Sequence, residues 1–217
     1  MKIKSAILLG ACLGSVPAVD SFAHGALPFT ILSRSVDAPA RRRALTDFSL
    51  VERSGKKITL ADLRGKISIV DFIYTSCSDT CPLQTADMAK LQEQWIKERE
   101  VELISVSVDP EHDTPRVLTK YAGRFRADPE RWLFLTGPKK QIDRLIEDGF
   151  RLPIAQAFHG DHGSVVHSSR FVLVNQQAQV CGYYDNRDPQ AMERLKADVT
   201  GLLQHLSASQ GIPGGSF

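Results

Sequence analysis

Apolar positions along this chain fall into two recurring patterns that alternate. Residues 66–75, "KISIVDFIYT", are rich in β-branched and aromatic side chains and follow Gly65, the signature of a buried central strand; "VELISVSVD" at 101–109 and "RWLFLTG" at 131–137 have the same character. Between them the spacing becomes helical. Met88, Leu91 and Trp95 mark one face of a helix over 82–99, with Pro82 in a first turn that tolerates it. In "DTPRVLTKYAGRF", Asp113 or Thr114 can cap a helix whose first position is Pro115, and Ile142, Leu145, Ile146 and Phe150 mark a third helical face. Ahead of these, "DFSLVE", a turn at "SGKK" and "ITLADL" read as a pair of short strands. After them, "SSRFVLVN", a turn at "QQAQ" and "VCGYYD" read as an antiparallel hairpin, followed by a helix with Met192, Leu195, Val199, Leu202 and Leu206 on one face. Trp95 and Trp132 read as core residues.

Strands alternating with helices call for parallel βαβ units. The order β-α-β, inserted βα units, then β-β-α, with two cysteines at the first strand-to-helix junction, is that of an α/β thioredoxin-like fold: a central mixed sheet flanked by helices. That plan locates a site without naming its chemistry. The expected organisation is residues 1–23 as a signal peptide, 24–45 as an arm or linker, 46–206 as the domain and 207–217 as a tail.

The signal-peptide reading comes from Lys2 and Lys4 ahead of an apolar run over 5–19, then a small-residue site at Ser21-Phe22-Ala23. The run is short and interrupted by Gly10, Gly14 and Pro17, which makes a transmembrane anchor the lesser alternative. A periplasmic or otherwise exported location follows. A net charge of +2 with scattered basic residues does not imply a nucleic-acid partner, and the Arg41-Arg42-Arg43 triplet reads as a solvated linker.

Of 4 cysteines, Cys12 lies in the leader, leaving Cys77, Cys81 and Cys181 in an oxidising compartment. A domain of this size does not need staples, so a close pair points to chemistry. Cys77 follows a buried strand and Cys81 precedes Pro82 at a helix start, where unpaired N–H groups and the helix dipole favour thiolate at both sulfurs. Thiolates are soft donors suited to Cu(I) and Zn(II). A third ligand is needed, and His167 is the leading candidate because it sits just before the strand that, in a thioredoxin-like fold, enters beside the cysteine turn. Two thiolates and one imidazole satisfy Cu(I), whereas structural Zn(II) takes four protein ligands. His167 belongs to residues 151–167, a long loop without a period that also holds His159 and His162, which read as solvated. Cys181 reads as a small core residue, Asp109 and Asp113 as turn-forming or capping groups with positioning of the site as the alternative, and His24 would become the new N-terminus after cleavage.

Over about 47–203 the chain resembles the Sco (SenC) family of copper proteins that assist assembly of cytochrome c oxidase. The resemblance rests on "DLRGK", "FIYTSCSDTCP", "SVSVDPEHDTP", "YAGRF", "FLTG" and "VVHSSRFVLVN". It implies a thioredoxin-like fold and binding of copper, as Cu(I) or Cu(II), by Cys77, Cys81 and His167. It also implies a metallochaperone role: delivering copper to the CuA centre of oxidase subunit II, or to another exported recipient, or reducing that site's thiols, with a donor chaperone upstream. Ser78 stands where the family commonly has proline, and Thr80 where it has an aliphatic residue. The alternative from another class is a thiol-disulfide oxidoreductase using Cys77 and Cys81 without obligatory copper. A peroxidase would need an activating arginine motif around Cys77, and none is seen.

Overall fold

The computed structural model describes residues 43–77, 80–152 and 169–210. The leader, most of the arm, residues 211–217, His24, His159, His162 and His167 lie outside the described residues, while 207–210, expected in the tail, continue the last helix.

Eight strands form one mixed sheet: β1 (Arg43–Ala44), β2 (Ser49–Glu52), β3 (Lys57–Thr59), β4 (Ile67–Ile73), β5 (Val101–Ser107), β6 (Trp132–Thr136), β7 (Arg170–Val174) and β8 (Gln179–Asp185). Their order across the sheet is β1-β8-β7-β4-β5-β6-β2-β3. β4 and β5, and β5 and β6, pair parallel, while all other pairs are antiparallel. The helices are α1 (Leu60–Leu63), α2 (Thr80–Gln94), α3 (Pro115–Arg124), α4 (Lys139–Arg144) and α5 (Pro189–Gln210). This is the expected thioredoxin-like arrangement.

Strand periodicity explains the two cores. Along β4 every residue is buried, so no polar face is needed, as expected of a strand covered on both sides. Ile67, Ile69 and Ile73 face one way, against Met88, Leu91 and Trp95 from α2, Tyr121 from α3 and Leu195, Val199 and Leu202 from α5. Val70 and Phe72 face the other way, against Leu60 and Leu63 of α1 and Ile142, Leu145 and Phe150. Trp132 and Phe134 stack in the first cluster with ring centroids 5.2 Å apart. Cys181, on β8, is half-buried against that cluster.

Three local expectations are corrected. The second short strand stops at Thr59, and Leu60–Leu63 turns helical because the Asp62 carboxylate accepts the Thr59 N–H at 2.8 Å and its hydroxyl at 2.7 Å. That carboxylate at the helix start ends the strand after "IT" and makes "LADL" helical. The third helix is α-helical only to Arg144; Leu145–Gly149 widens into a π-turn, closed by the Phe150 N–H on the Leu145 carbonyl at 2.8 Å. The widening keeps Leu145, Ile146 and Phe150 all buried. The helix reading over 82–99 is likewise shifted, since α2 starts at Thr80 and ends at Gln94.

Candidate metal and redox site

The cysteine turn leaves the carboxyl end of β4. Parallel pairing sets Ile73 opposite Ser107, so the chain after β4 and the chain after β5 emerge side by side. The Cys77 N–H bonds the Tyr74 carbonyl at 3.2 Å, folding 74–77 into a tight turn. Cys81 is the second residue of α2, and its N–H donates to the Cys77 sulfur at 3.4 Å. A first-turn N–H has no carbonyl partner within its own helix, so the Cys77 sulfur supplies the acceptor. The structure thus brings Cys77 and Cys81 together as the spacing implies, both as buried cysteines.

Their surroundings correct one expectation. The helix start was expected to favour thiolate at both sulfurs, but Cys81 is 4% exposed and burial pushes its thiol up to about 12. A smaller pull from the Tyr74 backbone opposes this, while the neighbouring Cys77 and Asp71 raise it further. Removing a thiolate from water costs more than one turn of helix dipole returns. Cys81 is therefore a protonated thiol until something takes its proton.

Beneath the sulfurs lies a polar cluster that no motif announces. Asp71 interrupts β4 on the face toward α2; it is fully buried, neither carboxylate oxygen has a partner at hydrogen-bonding geometry, and burial lifts it to about 7 against a weaker pull from the Ser105 hydroxyl. Ser105 in turn accepts the Trp132 indole N–H at 3.0 Å. Thr85 donates to the Cys81 carbonyl at 2.8 Å and lies 2.9 Å from the Tyr121 hydroxyl. A lone acid in an apolar strand run is the sequence signal by which Asp71 could have been found; Thr85 and Tyr121 had none.

Asp113 and Thr114 divide the two roles left open for them. The Thr114 side chain caps α3 by accepting the Val117 N–H, with Pro115 opening the helix. Asp113 instead is fully buried and reaches back to the cysteine turn, accepting from the Thr75 N–H at 3.1 Å, the Thr75 hydroxyl at 2.5 Å and the Ser107 hydroxyl at 2.6 Å. Asp109 faces outward and holds the His112 imidazole at 2.9 Å, which raises the imidazole's affinity for its proton. Among the described residues no group of three or more His, Cys, Asp or Glu side chains gathers as a complete metal site.

The family model for SCO1/SenC matches residues 36–204. This chain belongs to the SCO1/SenC family. A SCO1 protein homolog of Bacillus subtilis is 32% identical over 154 residues, covering 70% of this chain and 79% of the relative. The solved structure of BsSco, described as a Sco-family cytochrome c oxidase assembly protein with a disulfide switch, superposes with a TM-score of 0.64 at 30% identity, covering 75% of this chain and 95% of that one. Bradyrhizobium japonicum ScoI, solved with copper bound, gives 0.55 at 25% identity, covering 71% and 99%.

Proposed function

We propose that this protein is an exported copper-binding metallochaperone of the Sco type. Cys77, Cys81 and His167 hold one copper and pass it by ligand exchange to the CuA centre of oxidase subunit II or to another exported recipient, with copper arriving from a donor chaperone. The observation that carries the reading is the Cys77 sulfur placed on the first-turn N–H of Cys81, which puts two soft donors side by side at one helix start, in a chain similar to a Sco protein solved with copper. Soft thiolates with one imidazole suit Cu(I). Residues 1–23 direct export, and no helix among the described residues is long and apolar enough to cross a membrane.

Anaerobic titration of the reduced full chain with Cu(I), followed by X-ray absorption, tests this. Two sulfur ligands and one nitrogen are expected, with the nitrogen lost in His167→Ala; a reduced protein that takes up no Cu(I) ends the proposal.

A second reading is favoured by the similarity to BsSco and its disulfide switch. Cys77 and Cys81 would then act as a dithiol reductant of client cysteines, each turnover moving two electrons to the client and closing a Cys77–Cys81 disulfide. Client reduction that survives His167→Ala while copper binding is lost selects this reading.

A further inference from the structure

One stretch of chain grips the cysteine turn at both of its ends. Upstream, Asp113 takes the N–H and hydroxyl of Thr75, two residues before Cys77, and is itself fixed to the end of β5 by the Ser107 hydroxyl. Downstream, the Thr85 hydroxyl gives its single proton to the Cys81 carbonyl. The 2.9 Å contact with Tyr121 therefore has the Tyr121 hydroxyl as donor. Asp113 immediately precedes the α3 cap and Tyr121 lies within α3, so both grips belong to the same short segment.

These contacts are buried: Asp113 and Thr85 are 0% exposed and Tyr121 3%. A buried carboxylate is costly unless fully bonded, and bonds to a charged acceptor are the strong ones. The helix does not need Asp113, because Thr114 already caps it. Its oxygens go instead to the turn that carries Cys77.

We propose that Asp113 and Tyr121 are positioning residues that hold the Thr75–Cys77 turn and the first turn of α2 in a dithiol geometry, and so set the balance between dithiol and disulfide. The proposal rests on the reading of Cys77 and Cys81 as the chemically active pair. A disulfide demands a narrow range of Cβ separations and one torsion near a right angle, so a turn held at both ends reaches it less readily than a loosened one. Loosening either grip moves the equilibrium toward the disulfide.

The test equilibrates the full chain with mixtures of reduced and oxidised dithiothreitol, which exchanges two electrons with the pair, and reads the 77–81 disulfide by alkylation and peptide mapping. Thr75→Val, Asp113→Asn and Tyr121→Phe are each expected to favour the disulfide by about tenfold, equivalent to about 30 mV for a two-electron couple. Ser68→Ala, which removes a hydroxyl contact to Glu102 at the far end of β4 and touches neither grip, is expected to stay within twofold of wild type. Constants within twofold of wild type in the three variants, with only a fall in melting temperature, would overturn the proposal, as would a shift toward the dithiol. If Asp113→Asn fails to fold, the near-isosteric Thr75→Val and Tyr121→Phe decide. A wild-type protein that takes up no Cu(I) would remove the copper reading and leave this measurement valid.

Discussion

At neutral pH the Cys81 thiol keeps its proton, because burial pushes it up to about 12. A raised thiol value means the charged form appears only in alkali, so Cys81 in the folded, reduced protein should be alkylated by iodoacetamide at pH 8 at least 100-fold more slowly than after unfolding, as read by peptide mapping. On the copper reading the same proton must leave when metal binds, so apparent Cu(I) affinity should rise with pH between 6 and 9. The sequence showed the two cysteines and their place at a strand-to-helix junction. It did not show this asymmetry, which depends on how deeply α2 seats against the sheet. Nor did it separate Asp113 from Thr114: adjacent polar residues before a proline look interchangeable as caps, and only the neighbouring strand end at Ser107 tells the capping group from the tether.

Among the elements, α3 both closes the first core and supplies the grip on α2, so its start matters beyond its own residues. Thr114→Ala removes the bond from the Val117 N–H and should cost about 1 kcal/mol in chemical denaturation. Leu195 in α5 is 0% exposed in the same core, and Leu195→Ala should cost about 2–5 kcal/mol. These strands and long helices were legible because a period of two or 3.6 registers directly which face is buried. The short elements were not. Leu60–Leu63 owes its helical form to one carboxylate at Asp62, and the π-turn at Leu145–Gly149 to the need to bury Leu145, Ile146 and Phe150 together. Both are decided by contacts that a periodicity window averages away.

On the scale of the whole molecule, two carboxyls, Asp71 enclosed in the core and Glu102 half-buried on β5, are held well above the usual carboxylate range. Burial raises Asp71 and Glu102 each to about 7, with the Ser68 hydroxyl pulling Glu102 the other way. A raised folded-state value stabilises the native protein fully below the unfolded value near 4, and that stabilisation drains as pH climbs toward 7. Global stability should therefore fall between about pH 4 and 7, by up to about 4 kcal/mol from Asp71, and Asp71→Asn should flatten the decline in denaturation curves taken across that range. The parallel register that sets Ile73 opposite Ser107 has a different kind of consequence. Because Asp113 must reach Thr75 from the β5 side, the stretch from Val108 to His112 is a ruler and not a free surface loop. Adding or removing a residue there would displace the cysteine turn, whereas the exposed turn at 54–56 can absorb such changes without any signal reaching Cys77. Insertion tolerance along this chain should thus be lowest where its surface looks most ordinary.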